Sequence, residues 1–301
     1  MLRWRLISAA VIIAALTLLV TLDFRQAVWG LTGIWLLPIL AAVSLLGTEE
    51  VLSLLGRPRR PVAWVIYVGN LAIVLAACGP VWGDLLGREL PAGSLGRDGW
   101  PMIALVLAVI GVLVVEMHRY ERPGEAVQTL ALGIFALVYM GLLFSFLPLL
   151  RLWRDNAWGM LAMLSVIVIT KLADTGAYAC GRTFGRHKMT PLLSPGKTWE
   201  GAIGGIAFAC LGAWGWFQFA GPWLVGSSYQ PPALWATELY GLILAIAGMI
   251  GDLAESLLKR DSQRKDSSTW LPGLGGVLDI IDSLLVAAPC AYICWSVGML
   301  G

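Results

Sequence analysis

Ionisable side chains are concentrated in residues 252–283, a segment with long apolar runs on both sides. Ionisable groups within or beside membrane spans are costly, and they therefore indicate function. Acids outnumber bases here, beside a Gly275-Gly276 turn, and this pattern suggests a divalent metal and a phosphate substrate. The acids are Asp252, Glu255, Asp261, Asp266, Asp279 and Asp282, and the bases are Lys259, Arg260, Arg264 and Lys265.

Both flanks of this segment place polar groups at helix ends. The first flank carries one polar stripe at i, i+3, i+4 and i+7, made of Asp252, Glu255, Ser256 and Lys259. Such a stripe at the end of an apolar span must face protein or water. Because the chain turns at Pro272-Gly273 and Gly275-Gly276, we expect Asp252 to lie opposite Asp279. Carboxylates with substrate phosphates suit Mg²⁺. A solvated, salt-bridged loop is the alternative, but it does not explain carboxylates inside apolar helices.

A second polar segment begins at the end of an earlier apolar run. Lys171 and Asp174 are three residues apart and share a helix face. They can neutralise one another, or Asp174 can order a substrate or a metal ligand. A Walker A motif is excluded downstream, because position 191 is proline where that motif needs glycine.

The loop after this run carries four cations and leads into a glycine-rich helix. The cations are Arg182, Arg186, Lys188 and Lys197. A helix N-terminus with Ser194, Lys197 and Thr198 nearby is a natural phosphate site. The alternative for the loop alone is a basic stripe that touches anionic lipid head groups.

Composition identifies an integral membrane protein. The 301 residues are 58% hydrophobic and 13% charged, about half the charged share of soluble domains. Two histidines exclude a His-rich metal site, and the five cysteines have no CxxC spacing, so they read as small buried hydrophobes.

The apolar runs predict nine membrane spans in an all-α polytopic fold. They cover residues 6–22, 29–46, 62–83, 101–116, 127–150, 157–178, 200–224, 234–258 and 278–299. The first run is longer than a signal-peptide core of about 7–15 residues and no cleavage site closes it, so we expect a retained span. Most lysines and arginines fall on the side of the N-terminus, which predicts that the N-terminus and both polar segments are cytoplasmic.

The first polar segment, residues 252–283, resembles the signature of the phosphatidate cytidylyltransferases (CDP-diacylglycerol synthases). The matching pattern is Ser256-x2-Lys259-Arg260-x4-Lys265-Asp266-Ser267-Ser268-x2-Leu271-Pro272-Gly273-x-Gly275-Gly276-Val277-x-Asp279-x2-Asp282. The family's other hallmark resembles Asp174-x-Gly176-Ala177-Tyr178 and Ser194-Pro195-Gly196-Lys197-Thr198-Trp199. The resemblance covers about residues 171–285 and is highly specific.

This resemblance implies that CTP and phosphatidate give CDP-diacylglycerol and pyrophosphate with Mg²⁺, in a homodimer of a bacterial-type inner membrane. It implies Asp252 and Asp279 as metal ligands. No nucleic-acid partner is expected. We expect catalytic roles for Lys259, Arg260, Lys265, Asp266 and Asp282, where Asp266 and Asp282 either orient the cations or hold a second cation. We expect substrate binding by Asp174, Ser194, Lys197, Thr198, Ser256, Gly275 and Gly276.

Two positions depart from the family pattern. Leu274 stands where the family usually has histidine, and Ile280 where it usually has arginine. All the predicted metal carboxylates remain, so an active enzyme is still favoured. The competing hypotheses are a CTP-dependent lipid-alcohol kinase and a non-enzymatic transporter or lipid-binding protein. A transporter would spread its charges through several spans, whereas here they lie in two segments. We expect residues 1–150 to form N-terminal membrane helices and residues 151–301 to form the catalytic region.

Overall fold

The fold is almost entirely helical. The computed structural model describes residues 2–26, 32–55, 61–85, 99–121, 123–268, 270 and 275–300, with the backbone alone at 2–9, 80 and 84. The helices are α1 (Leu2–Arg25), α2 (Leu37–Leu54), α3 (Ala63–Ala77), α4 (Gly79–Leu85), α5 (Gly99–His118), α6 (Ala126–Ala136), α7 (Leu143–Arg151), α8 (Asn156–Phe184), α9 (Trp199–Gly215), α10 (Gly221–Val225), α11 (Leu234–Asp261) and α12 (Leu278–Ser296). π-Helical turns at Leu137–Leu142 and Trp216–Ala220 join α6 to α7 and α9 to α10.

Seven helical segments in the described part of the chain are long and apolar enough to cross a membrane. They are Leu37–Leu54, Gly99–His118, Ala126–Arg151, Asn156–Phe184, Trp199–Val225, Leu234–Asp261 and Leu278–Ser296. The predicted all-α polytopic membrane fold is confirmed, but the count of nine spans is not.

The predicted third span, residues 62–83, is divided into two shorter helices. α3 has 15 residues and α4 has 7, so neither has the roughly 20 residues that a spanning helix needs. The break lies at Cys78, ahead of Gly79-Pro80. Proline has no N–H to continue the helical ladder and disfavours helix at the residue before it. The second predicted span is also displaced, because α2 begins at Leu37 rather than near residue 29.

The contacts divide the chain into two compact units. Unit 1 comprises Met1–Leu152 and Asp261–Ile280, and unit 2 comprises Trp153–Arg260 and Ile281–Gly301. The division falls within the signature, because Asp252 and Asp282 lie in unit 2 whereas Lys265, Asp266 and Asp279 lie in unit 1. The predicted assignment of catalysis to residues 151–301 stays a prediction.

Unit 1 contains a buried ion pair between α1 and α7. The Arg151 guanidinium on α7 contacts Asp23 Oδ2 on α1 through Nη2 at 2.6 Å and Nε at 2.7 Å. Asp23 Oδ1 also accepts the backbone N–H of Trp35 at 3.2 Å. Both charged residues are about 1% exposed. The pair fixes the chain entering α2 and the end of α7, because a buried charge must keep its partner.

Unit 2 is organised by the close approach of α8 and α9. A Cβ atom at Gly204 would collide with the side chain of Cys180, and one at Gly205 would lie 3.0 Å from the Ala173 carbonyl oxygen. Only glycine lets the two helices pack at this distance. The hydroxyls of Ser165 and Tyr240 lie 2.7 Å apart and join α8 to α11 inside the same core.

The loop between α8 and α9 contains a short antiparallel hairpin that the sequence did not predict. Its strands are β1 (Lys188–Thr190) and β2 (Ser194–Thr198), with Lys188 opposite Thr198. The Glu200 carboxylate accepts the backbone N–H of Arg186 at 3.1 Å and lies 2.6 Å from His187 Nδ1. These bonds attach the hairpin to the first turn of α9.

Candidate active site

A cluster of three carboxylates, Asp252, Glu255 and Asp282, lies in unit 2 between α11 and α12. Each offers one oxygen, and these oxygens all lie within 4.8 Å of one another. Gly251 makes the approach possible, because a Cβ there would collide with the Asp282 carbonyl oxygen and lie 3.0 Å from Ser283 Cα. The arrangement can hold a divalent cation, because hard oxygen donors converge on one point.

Two lysines contact this carboxylate cluster. Lys197 Nζ at the end of β2 lies 2.8 Å from Asp252 Oδ2, and Lys259 Nζ lies 2.5 Å from Glu255 Oε2 one helical turn further along α11. Glu255 is only 1% exposed, so Lys259 offsets the cost of burying its charge. The two lysines compensate part of the negative charge that a bound cation would neutralise.

A second polar group lies beside the carboxylate cluster on α8 and α12. Lys171 Nζ donates to Asp174 Oδ2 at 3.1 Å and to Ser283 Oγ at 3.0 Å. The Ser283 hydroxyl lies 3.3 Å from Asp174 Oδ2. The predicted Lys171–Asp174 neutralisation is therefore present, and it includes a serine next to Asp282.

These groups border a cavity of about 390 Å³ within unit 2. Its polar lining comes from Asp174, Tyr178, Arg182, Ser194, Lys197 and Asp252. Its remaining wall is mostly small or apolar and includes Ala173, Ala177, Gly205, Ala245 and Met249. A cavity with both charged and apolar lining residues can accept a ligand that has a charged group and an apolar part.

Of the remaining predicted site residues in unit 2, two make structural contacts and one is buried, and Thr198 also lines the cavity. Thr198 is the N-cap of α9, and its hydroxyl accepts the Gly201 N–H at 3.1 Å. Arg260 Nε donates to the Leu193 carbonyl at 3.2 Å and so attaches the hairpin to α11. Ser256 is buried on α11.

The loop between α11 and α12, residues 262–277, is called the signature loop. The Asp279 carboxylate organises the described part of this loop within unit 1. Its Oδ2 atom accepts the Ser267 hydroxyl at 2.6 Å, the Ser267 N–H at 3.2 Å and the Gly276 N–H at 2.7 Å. Gly275 has a φ of 89°, in the left-handed region that favours glycine, and a Cβ there would lie 2.5 Å from Asp279 Oδ2. The two glycines therefore allow the chain to fold over this carboxylate.

Lys265 and Asp266 line a different cavity, of about 500 Å³, within unit 1. Both side chains are exposed. Arg264 Nη1 donates to Ser53 Oγ at 3.1 Å on α2. Ser53 lines the same cavity as Lys265 and Asp266, so the two predicted catalytic residues lie close to α2. Of the two departures from the family pattern, Ile280 is half-buried on α12, and Leu274 lies outside the described residues.

The model of the cytidylyltransferase family matches residues 4–297 of this chain. The chain belongs to the cytidylyltransferase family. A phosphatidate cytidylyltransferase of Haemophilus influenzae is 32% identical over an alignment that covers 96% of each chain. One from Pseudomonas aeruginosa is 36% identical over 72% of this chain and 83% of its own. One from Brucella suis is 41% identical over 66% of this chain and 67% of its own. The predicted nucleotidyltransferase class is confirmed, and the transporter alternative is not favoured.

In this cytidylyltransferase, two buried acids were not among the predicted site residues. Glu255 lies on the predicted polar stripe, so its spacing was a usable signal. Glu50 lies on α2, far from the signature in sequence, and is within hydrogen-bond distance of four donors in the signature loop and at the start of α12, one of which, the Ser267 hydroxyl, is shared with Asp279. Its one signal was an acid inside an apolar run, which is costly in a membrane protein.

Proposed function

We propose that this protein transfers the cytidylyl group of CTP to phosphatidate, giving CDP-diacylglycerol and pyrophosphate. The main support for this proposal is the similarity to a phosphatidate cytidylyltransferase over 96% of the chain. The cavity within unit 2 supports a phosphorylated lipid substrate, because its lining includes the cations Lys197 and Arg182 together with the apolar residues Ala245 and Met249.

The chemistry needs positioning and charge neutralisation more than covalent help. An oxygen of the phosphatidate phosphate attacks the α-phosphorus of CTP, and the bond from that phosphorus to the pyrophosphate oxygen breaks. A phosphate monoester has a second pKa of about 6, so it is largely ionised near neutral pH and needs no strong general base. Lys197, Lys259 and Lys265 then contribute positive charge to the phosphates.

The donor set of the carboxylate cluster fits Mg²⁺, because its three oxygens converge within 4.8 Å and Mg²⁺ prefers oxygen ligands. We propose that Asp252 is a metal ligand there, with Glu255 and Asp282 completing or orienting the site. Asp279 remains a proposed metal ligand as well. When bound, the metal ion supplies positive charge to the triphosphate. Lys259 orients Glu255, and Lys171 with Ser283 orients Asp174.

The localisation proposed for the protein is the bacterial inner membrane, with its N-terminus and active site in the cytoplasm. Two observations support this arrangement. On the predicted nine-span topology, lysines and arginines are enriched on the side of the N-terminus, and CTP is a cytoplasmic nucleotide. A homodimer is proposed from the family resemblance.

The test uses purified protein in detergent with phosphatidate, Mg²⁺ and CTP labelled in either the α- or the γ-phosphate. We expect α-label in the lipid fraction and γ-label in pyrophosphate, with no transfer when phosphatidate is omitted. A parallel reaction replaces phosphatidate by diacylglycerol, and transfer of the γ-label to that lipid with release of CDP would instead identify a lipid-alcohol kinase. An absence of lipid labelling from either position would contradict the proposed transfer.

A further inference from the structure

Glu50 is a buried carboxylate on α2 that lies 217 residues before Ser267 in the sequence. It is 1% exposed. Its Oε1 atom accepts the Ser268 hydroxyl at 2.7 Å and the Val277 N–H at 2.9 Å. Its Oε2 atom accepts the Leu278 N–H at 2.7 Å and lies 3.0 Å from Ser267 Oγ, whose single proton is shared with the nearer Asp279 Oδ2. One side chain of the second helix therefore holds two parts of the signature loop.

Only a carboxylate can satisfy this set of donors. The N–H groups of Val277 and Leu278 lie at the start of α12, where no preceding helical turn supplies acceptors. The negative charge of Glu50 also interacts favourably with the positive end of the helix dipole. A glutamine at the same place would turn its NH₂ group toward donors and leave buried polar groups unsatisfied.

The contacts of Glu50 continue directly to Asp279. The Ser267 hydroxyl lies between the two acids, 3.0 Å from Glu50 Oε2 and 2.6 Å from Asp279 Oδ2. Gly276, which donates its N–H to Asp279, has no room for a side chain, because a Cβ would collide with Ser267 Oγ and the Glu50 carboxylate. The position of Asp279 is therefore set by the same segment that Glu50 holds.

We propose that Glu50 is a positioning residue that orients the Asp279 carboxylate for divalent-cation binding through Ser267 and the first turn of α12. This inference rests on the proposed function, in which Asp279 is a metal ligand. Glu50 itself is not proposed to touch the metal or the substrates. Its loss should therefore weaken cation binding, while the affinity for CTP at saturating Mg²⁺ changes little.

The first experiment compares Glu50→Gln with Glu49→Gln in the full-length protein. Glu49 is the neighbouring acid on α2, and its carboxylate accepts the Tyr67 hydroxyl. Mn²⁺ binding is followed by electron paramagnetic resonance, and the Mg²⁺ dependence of turnover is measured separately. We expect Glu50→Gln to weaken Mn²⁺ binding and raise the half-activating Mg²⁺ concentration by about tenfold or more. Glu49→Gln should stay within about twofold of the wild type on the same scale. Unchanged Mn²⁺ binding in Glu50→Gln would overturn the proposal.

Ser267→Ala and Ser268→Ala decide the matter if Glu50→Gln does not fold. Both hydroxyls contact Glu50, and that of Ser267 also donates to Asp279 Oδ2. We expect weaker Mn²⁺ binding in Ser267→Ala than in Ser268→Ala, and equal or reversed effects would overturn the proposal.

The binding measurement also separates this inference from the proposed reaction. A wild type that binds Mn²⁺ in an Asp279-dependent manner but does not convert phosphatidate would contradict the reaction alone. A wild type without Asp279-dependent Mn²⁺ binding would overturn the role of Glu50.

Discussion

Lys197 Nζ lies 2.8 Å from Asp252 Oδ2. This ion pair joins β2, the second strand of the hairpin between α8 and α9, to the α11 side of the carboxylate cluster. The side chains are 19% and 39% exposed, which leaves both accessible to a substrate in the adjoining cavity. A phosphate or a cation that enters can therefore exchange with this ion pair. The pair links the two polar segments that the sequence singled out.

Removal of either proposed metal carboxylate should abolish activity. In Asp252→Asn or Asp279→Asn, the site loses a formal charge and a ligand, and we expect turnover at limiting Mg²⁺ to fall by about a hundredfold or more. Expression should be unchanged. Formation of labelled CDP-diacylglycerol across a Mg²⁺ titration measures the effect, and near-normal turnover in either variant would show that the ligand assignment is wrong.

Lys197 should contribute to CTP or phosphatidate binding. A charged hydrogen bond contributes about 1.5–3 kcal/mol, so Lys197→Met should raise the KM of one phosphate substrate by roughly tenfold to a hundredfold. Lys188→Met is the matched control, because Lys188 is an exposed lysine on the other strand of the hairpin. Steady-state kinetics with each substrate varied in turn distinguishes them, and equal effects of the two variants would count against a specific role.

Single cysteines should reveal the predicted orientation. We expect membrane-impermeant reagents to label residues 182–197 and 260–272 only from the cytoplasmic side and residues 225–232 only from outside. The asymmetry of lysine and arginine is the physical reason. The measurement uses intact cells and inverted vesicles of a variant without the native cysteines. Labelling of residues 225–232 from the cytoplasmic side would mean that a span has been misassigned.

Restoring the usual family residues tests the two departures from the pattern. We expect Leu274→His combined with Ile280→Arg to impair folding or activity, because Ile280 is half-buried on α12 and a new guanidinium there would need a partner. Expression level and kcat/KM for CTP measure the outcome. A clear gain in kcat/KM would instead show that the chain lacks phosphate contacts that its relatives use.

The buried pair of Asp23 and Arg151 should be important for stability rather than chemistry. Breaking a buried ion pair costs about 3–5 kcal/mol, so Asp23→Asn should lower the thermal midpoint in detergent markedly. Asp155→Asn is a suitable control, because Asp155 is an exposed N-cap of α8 and asparagine caps a helix about as well as aspartate. Replacing both Asp23 and Arg151 by leucine should recover part of the loss, and a midpoint in Asp23→Asn equal to that of the control would contradict this prediction.

Hydropathy and motif were sufficient to predict a polytopic helical membrane enzyme and its family. Apolar runs determine which segments can span a membrane, because each helix satisfies its own backbone hydrogen bonds. The polar stripe of Asp252, Glu255 and Lys259 followed from helical spacing alone, and the structure forms the Lys259–Glu255 pair at that spacing. These are local properties, and the sequence shows them directly.

Only the tertiary structure brought distant residues together. Lys197 on β2 meets Asp252 on α11, and Glu50 on α2 meets Ser267 in the loop before α12. No spacing along the chain records such contacts. The hairpin after α8 likewise depends on how two segments satisfy each other's backbone hydrogen bonds. The sequence by itself thus determined the membrane class, the family and most acids of the site. The tertiary structure decided which partner each acid has, since burial makes an unpaired charge too costly to keep.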